Sequence, residues 1–331
     1  MELKKIAEEI KKAQNIVLTI HTNSDGDCIG SAIALMLILD RYNKKNFSDE
    51  IYNMKTVRLV LDDKLPRFMD HFKERALVEY YPNFKMKNID LLIAIDSANI
   101  ERIGNVAELR KESKKMINID HHISNTKYAD INYVDDVSST SEIIYRFLEL
   151  FDVELDKEIA TFLYLGIIND TGNFSHSNVT SDTFMISSEL VKAGIDNSEI
   201  TDILFGVTLG KARLLGEVYK NLIIDEELKF AYYYLSDEKA EELKIGRDET
   251  DGMSEILLDL VGIEVSLFLK DEKNGRLKGS LRSKSIYDVN EVGNNFGGGG
   301  HKKAAGFNTD ETPEKVIEKI KELLEKQLTK K

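Results

Sequence analysis

Ile16-Val17-Leu18-Thr19-Ile20 runs without a break into His21-Thr22-Asn23-Ser24-Asp25-Gly26-Asp27. The first five residues are aliphatic or β-branched and read as a strand. The polar stretch that follows places an imidazole and two carboxylates at its end. The pattern recurs where Leu91-Leu92-Ile93-Ala94-Ile95 meets Asp96-Ser97, and where Met116-Ile117-Asn118-Ile119 meets Asp120-His121-His122. Parallel α/β sheets hold ligands outside the carboxyl ends of their strands. Three acid- or histidine-bearing strand ends in one domain therefore predict a polynuclear metal site.

Around these stretches the first half of the chain alternates strand-like and helix-like segments, the order of a parallel sheet covered by helices. Strands are expected at Asn15–Ile20, Val57–Leu61, Ile89–Ile95 and Lys115–Ile119, and helices at Ile29–Arg41, Thr140–Leu150, Lys157–Gly166 and Ser181–Ala193. Gly194 is placed to end a helix. Residues 196–219 read as a helical connector, so the domains are drawn at 1–195 and 220–331. In the second domain Phe230–Leu235 is strand-like, and Ile263–Lys270 with Arg276–Arg282 frames Asn274-Gly275, a hairpin signal. Val316, Ile317, Ile320, Leu323 and Leu324 make Pro313–Leu328 an amphipathic closing helix.

Composition narrows the function classes. A chain of 331 residues is long enough for two domains with separate cores. No apolar run approaches the ~20 residues needed to span a bilayer, and the N-terminus has no apolar segment of signal-peptide type. A single cysteine, Cys28, excludes an internal disulfide and fits a cytoplasmic location. The net charge of −13 argues against coating long nucleic acid. Anionic substrates must be drawn locally, and Lys270–Lys303 holds eight Lys or Arg against four Asp or Glu.

In the first loop Gly26 separates Asp25 from Asp27, and residues two apart in an extended or turning loop point to similar sides. Asp96 joins them from a neighbouring strand end, and Asp120-His121-His122 from another. A fourth carboxylate, Asp170, stands where Leu165-Gly166-Ile167-Ile168-Asn169 gives way to Thr171-Gly172. If Asp25, Asp27, Asp96 and Asp170 converge, they repel unless cations neutralise them, and two divalent ions would cancel the charge. Oxygen-rich ligation with two imidazoles suits Mn²⁺ best, with Mg²⁺, Co²⁺ or Fe²⁺ as alternatives. Cys28 is read as a small buried thiol opening the next helix rather than as a soft ligand. His71 reads as a surface residue and His176 as a neighbour of the Asp170 loop.

In the second domain, Gly297-Gly298-Gly299-Gly300 precedes His301. A backbone without side chains can approach an anion and aim N–H groups at it. His301 adds a donor, and Arg282, at the end of a strand, is placed to clasp a phosphate bidentately. Lys302 and Lys303 are weaker candidates, and one of Tyr232, Tyr233 and Tyr234 offers a ring for base stacking.

His21-x₃-Asp25-Gly26-Asp27, Asp96-Ser97, Asp120-His121-His122 and Asp170-Thr171-Gly172 resemble the four successive motifs of the DHH phosphoesterase superfamily. Gly297–His301 with Ala304-Ala305-Gly306 resembles the signature of its associated C-terminal domain. The resemblance covers nearly the whole chain and is strongest to the stand-alone nanoRNase and pAp-phosphatase branch. It implies an α/β architecture: an N-terminal parallel-sheet DHH domain, a smaller C-terminal α/β domain and an active site in the interdomain cleft. It implies one metal held by His21, Asp25 and Asp96 and a second by Asp27, Asp96, His121 and Asp170, with His122 on the scissile phosphate. Asp96, His122 and Asp170 would then be catalytic, and Arg282, Gly298, Gly299, Gly300 and His301 would bind substrate. Ser24 stands where relatives usually have proline, and Cys28 where a small residue such as alanine is common; neither change removes a ligand.

The expected reaction is hydrolysis by metal-activated water of short single-stranded RNA or DNA, about two to five nucleotides long, since an acidic exterior gives long strands little to track along. The bisphosphate pAp and linear dinucleotides are the companion substrates, and a second copy of the chain is a candidate partner. A cyclic-dinucleotide phosphodiesterase, a family II inorganic pyrophosphatase and a silent nucleotide-binding assembly module are the competing readings.

Overall fold

The computed structural model describes residues 2–47, 54–272 and 275–329. The chain divides into two compact units, Met1–Gly206 and Val207–Lys331. Among the described residues no helix is long and apolar enough to cross a membrane.

The first unit opens with α1 (Glu2–Lys12), β1 (Asn15–Ile20), α2 (Gly26–Phe47), β2 (Thr56–Leu61), β3 (Val78–Tyr80) and β4 (Ile89–Ile95). It continues with β5 (Ser113–Asp120), β6 (Ile131–Val134), α3 (Thr140–Tyr145), α4 (Phe147–Phe151), α5 (Lys157–Asp170), α6 (Ser181–Lys192) and α7 (Asn197–Phe205). Its six strands lie in the order β3-β2-β1-β4-β5-β6 and every pairing is parallel. The strand order turns back between β1 and β4, where Ile20 lies opposite Ile95. A parallel sheet opens its ligand crevice at such a point, and the residues that follow these two strands are His21 and Asp96.

Alternation of side chains explains why the sheet is covered on both faces. Ile16, Leu18 and Ile20 join the core beneath α2 and α5, while Val17 joins Leu92, Ala94 and Met116 against Ile103, Val106 and Leu109 on the opposite face. Burial of each Leu or Ile side chain contributes about 1.5–3 kcal/mol. α1 supplies Leu3, Ile6, Ala7 and Ile10, a helical stripe, to the first of these cores.

α2 and α5 pack closely because Gly30 has no side chain: a Cβ there would collide with the Phe162 carbonyl oxygen and lie 3.1 Å from the Gly166 nitrogen. α5 continues to Asp170, so this carboxylate stands at a helix end, unlike the strand-end acids. The segment around His71 forms 3-10 turns, Arg67–His71 and Lys73–Leu77, and His71 is exposed. Gly194, with φ +89°, follows the end of α6, as its position in the sequence predicts.

The second unit comprises α8 (Leu209–Asn221), β7 (Ile223–Asp225), β8 (Phe230–Leu235), α9 (Asp237–Leu243), α10 (Met253–Leu258) and β9 (Val265–Asp271). β10 (Leu277–Ser283), α11 (Val289–Asn294), β11 (Gly299–His301), β12 (Ala304–Thr309) and α12 (Pro313–Thr329) complete it. Its sheet runs β11-β12-β10-β9-β8-β7, antiparallel throughout except for the β8–β9 pair. β9 and β10 pair antiparallel as the hairpin signal requires; Asn274 of that signal lies outside the described residues. Val316, Ile320 and Leu324 of α12 pack into this core.

Two glycines with opposite surroundings give a test of the packing. Gly30→Ala is expected to cost about 1–3 kcal/mol through overpacking. Gly216→Ala, on exposed α8 with nothing within 4 Å of its Cβ, is expected to stabilise by about 0.5–1 kcal/mol through helix propensity. Urea unfolding of the full chain, followed by circular dichroism, reads both; equal effects would refute the close α2–α5 approach.

Candidate metal centre

His21 leaves β1 buried, and its Nδ1 lies 2.9 Å from the Thr22 carbonyl oxygen. Nε2 is 3.4 Å from Asp25 Oδ2 and 3.6 Å from Asp96 Oδ2. Asp25 also accepts from the backbone N–H groups of Asp27 and Cys28, both at 3.1 Å. It thus works as a helix cap and presents its second oxygen to His21.

Asp27 is wholly buried. One oxygen accepts from Thr140 N at 2.6 Å, and the other from Ser141 N at 3.0 Å and Ser31 Oγ at 3.2 Å. A Cβ at Gly166 would collide with Ser141 Oγ and lie 2.6 Å from Asp27 Oδ1, so only glycine leaves room for the carboxylate. Asp96 follows β4 with φ +56°, and its N–H donates to Ile119 O at 2.8 Å. Left-handed backbone costs a residue with a side chain on the order of 1 kcal/mol, and aspartate tolerates it better than most. Thr140 Oγ1 donates to Asp96 Oδ1 at 2.8 Å.

From the end of β5, His121 places Nδ1 3.1 Å from Val137 O and Nε2 3.0 Å from Asp170 Oδ2 and 3.6 Å from Asp96 Oδ1. That Nε2 is buried and makes no aligned hydrogen bond despite the close carboxylate. Approach without alignment suits two ligands aimed at one ion better than a donor aimed at an acceptor. His122 is tied through Nδ1 to buried Asp120 at 2.8 Å, and the same nitrogen lies 3.6 Å from Asp96.

Among the described residues three groups of donor atoms result: His21, Asp25, Cys28 and Asp96; Asp96, His121 and His122; and Asp27, His121 and Asp170. Every residue assigned by sequence to metal binding falls into one of them, and Cys28, assigned to none, is in the first. The charge balance fits a cation. Burial, together with the charges of Asp96 and Asp170, drives the Asp27 carboxyl well above its ordinary range. Burial opposes the charged form of His121, but the Asp170 contact and the charges of Asp27 and Asp96 outweigh it and lift the imidazole to about 10. Burial likewise works against charged His21, and its Asp25 and Asp96 contacts overcome this. Asp25 falls to about 2 because its contact with His21 outweighs the cost of burial. Without metal, the protons on these two imidazoles supply the positive charge that the carboxylates require.

Thr140, Ser141, Ser31 and Asp120 went unassigned in the sequence. The signal for the first two is Ser138-Ser139-Thr140-Ser141-Glu142, whose Ser-x-x-Glu pattern marks a helix start; Ser139 does cap Glu142 N at 3.4 Å. His176 places Nδ1 3.1 Å from the Asp170 carbonyl oxygen, packs over Gly172 and is exposed.

The second unit's candidates differ from the sequence reading in one respect. The run of four glycines reads in the sequence as a backbone placed to approach an anion, yet a Cβ at Gly298 or Gly300 would collide with the carbonyl oxygen of Gly306 or Ala304, so packing also requires glycine there. The N–H groups of Gly297, Gly298 and Gly300 already donate to Asn294 O, Gly293 O and Asn290 Oδ1. A Cβ at Gly299, which pairs with Gly306, would lie 3.1 and 3.5 Å from the Asn294 and Asn290 side-chain oxygens. His301 and Lys302 are exposed, and Lys303 donates to Ser285 O at 2.7 Å. Arg282 donates from Nε to Glu255 Oε1 at 2.8 Å and from an amino nitrogen to Leu281 O at 2.8 Å. Tyr232 and Tyr233 are core residues, while half-buried Tyr234 donates its hydroxyl to Asp271 at 2.8 Å.

Residues 15–167 match the DHH family, N-terminal domain, and residues 227–330 match the DHHA1 domain. A probable bifunctional oligoribonuclease and PAP phosphatase NrnA from Streptococcus mutans is 30% identical, the alignment covering 97% of this chain and 98% of that one. The chain belongs to the DHH family. Its members are metal-dependent phosphoesterases, and the chain is a hydrolase of that class. The bifunctional oligoribonuclease and PAP phosphatase NrnA of Thermus thermophilus is 28% identical over 98% of this chain and 94% of its own. The crystal structure of an exopolyphosphatase-related protein from Bacteroides fragilis superposes with a TM-score of 0.80 at 25% identity, covering 98% of this chain and 96% of that one.

Metal uptake is expected to expel the protons held by His21 and His121. Raised imidazole pKa values mean that both rings are protonated at neutral pH, so proton competition weakens binding as pH falls, and apparent Mn²⁺ affinity should climb from pH 6 toward about 10. Calorimetric titration in two buffers of different ionisation enthalpy measures the release, and buffer-independent heats would contradict it. In the same assay Thr140→Val should weaken Mn²⁺ binding about 10–100-fold while Thr140→Ser retains it.

Proposed function

We propose that this phosphoesterase hydrolyses short single-stranded oligoribonucleotides, about two to five residues long, to mononucleotides, and removes the 3′-phosphate of pAp. The observation that carries the reading is the near full-length likeness, through both domains, to relatives named for those two activities. The net charge of −13 supports short over long substrates, because an acidic surface repels an extended polyanion.

We assign His21, Asp25 and Asp96 to one divalent ion and Asp27, Asp96, His121 and Asp170 to another, with Mn²⁺ as the preferred metal. When bound, the ions supply Lewis acidity at the phosphoryl oxygens and lower the pKa of the attacking water. Asp96 is the shared carboxylate, and Thr140 fixes its rotamer through the 2.8 Å bond. His122 keeps Nδ1 on Asp120, which orients the ring and leaves Nε2 to donate to a phosphoryl oxygen. Asp170 directs its carboxylate from the end of α5. In the second domain Arg282 and His301 hold the substrate's terminal phosphate, and the Gly298–Gly300 backbone, with the Gly298 and Gly300 N–H groups paired internally, shapes the strand that carries His301. Residues 1–195 form the catalytic domain, 196–219 the connector and 220–331 the substrate domain, in a cytoplasmic enzyme that pairs as a homodimer.

The test compares product release by the Mn²⁺-loaded protein from a dinucleotide, a five-nucleotide RNA, a long single strand, pAp, a cyclic dinucleotide, pyrophosphate and polyphosphate. Short RNA and pAp should be turned over fastest; selective turnover of the cyclic dinucleotide, pyrophosphate or polyphosphate moves the chain to another substrate class. Asp96→Ala should lower kcat by more than the about 100-fold that loss of an outer partner costs. Arg282→Ala should act mainly on KM, raising it about 10–100-fold, as loss of a charge-assisted bond of about 1.5–3 kcal/mol requires.

A further inference from the structure

Three observations bear on what the His21 end of the centre holds. The sulfur of Cys28 lies with donor atoms of His21, Asp25 and Asp96, all within 4.8 Å of one another. His21 is only 3% exposed, and with its Nδ1–H donated to Thr22 O, its Nε2 offers a lone pair to an ion once its own proton has left. The neighbours of that lone pair, at 3.4 and 3.6 Å, are carboxylate oxygens, which are acceptors as well. Acceptors face one another at such distances only across a proton or a cation. Cys28 is fully buried on the first turn of the 22-residue α2, and Asp25 N–H donates to its sulfur at 3.2 Å.

We propose that Cys28 is a metal ligand, so that the His21 position is a His/Asp/Asp/Cys site while the Asp27, His121 and Asp170 position has only oxygen and nitrogen donors. The inference rests on the metal-centre part of the function given above and not on the choice of substrate. As the sulfur–metal bond forms, the thiol S–H bond breaks and its proton leaves to solvent; neither sulfur nor metal changes oxidation state. Thiolate is a soft ligand and selects Zn²⁺, Co²⁺ or Fe²⁺ over Mg²⁺ and Mn²⁺. The two positions therefore differ in hardness, and the Mn²⁺ preference given above narrows to the Asp27, His121 and Asp170 position, while the cysteine side takes a softer ion.

The test is optical titration of the metal-free full chain with Co²⁺ alone. Wild-type protein should develop a near-ultraviolet thiolate-to-cobalt charge-transfer band that saturates at one equivalent per chain. Zn²⁺ should bleach it at lower concentration than Mn²⁺ does. Cys28→Ala and Cys28→Ser, each checked for native circular dichroism, should bind Co²⁺ without the band and lose at least about tenfold in Zn²⁺ affinity while Mn²⁺ affinity changes far less. No band in the wild-type protein, or the same band in the variants, overturns the assignment. Because the readout is a sulfur-to-metal transition, it stands or falls independently of whether short RNA is hydrolysed.

Discussion

Burying Asp27 and Asp96 together carries a desolvation cost of several kcal/mol for each ion before any compensation, and their mutual repulsion adds to it. The first domain meets that cost with fixed dipoles. Thr140 and Ser141 give Asp27 two backbone N–H groups, Ser31 gives it a hydroxyl, and the Thr140 hydroxyl goes to Asp96. The donors from Thr140 and Ser141 require the start of α3 to lie directly over α2. That placement in turn requires glycine at 166, where a side chain would collide with Ser141 and crowd Asp27. The donors offset part of the charge and leave the rest for protons or cations, which explains why both buried imidazoles bind protons more tightly than free histidine does.

Sheet topology determines which residues can share this site. Because β1 and β4 are neighbours at the reversal of strand order, the residues one step beyond Ile20 and Ile95 are brought side by side by register alone. Asp96 then takes a left-handed backbone, which turns the chain at once, and its N–H returns to β5 at Ile119. His121, two residues beyond Ile119 on that strand, is thereby held against Asp96. α5 contributes Asp170 from the other side, and the absence of a side chain at Gly30 sets how near α5 comes to α2. Four segments far apart in sequence meet without any long loop reaching inward.

Much of this was legible in the chain because strand-end chemistry leaves a local mark. β1 and β4 end where the aliphatic runs do, His21 and Asp96 follow them directly, and Asp25, Asp27 and His121 stand within a few residues of such a run. Asp170 was legible as a residue, but α5 runs on to it from Gly166 through the apolar Ile167-Ile168. The supporting donors were hidden for a physical reason. Ser31, Thr140 and Ser141 act through hydroxyls and backbone N–H groups, and whether such groups face a carboxylate or water depends on tertiary packing. Leu3, Ile6, Ala7 and Ile10 do carry the helical spacing of α1, yet the Lys and Glu residues between them give that stretch the look of a solvated terminus. The glycine run carries a second meaning that the sequence hid, since close approach by a neighbouring strand selects glycine as strongly as an anion does.

With Arg282 as the proposed phosphate ligand, its ion pair with Glu255 would give the second domain a selectivity that an isolated arginine would lack. A substrate phosphate must compete with a carboxylate already bonded to the guanidinium, so only the difference between the two anions counts toward binding. An internal phosphodiester carries one negative charge, as Glu255 does, and the exchange gains little. A terminal phosphate monoester carries nearly two near neutral pH, with three acceptor oxygens, and it outcompetes the carboxylate. Recognition by exchange thus favours chain ends over chain interiors, and ends are most abundant, per phosphate, in the shortest oligonucleotides and in pAp. The acidic partner of Arg282 weakens the grip on either kind of phosphate and in doing so would sharpen the discrimination between them.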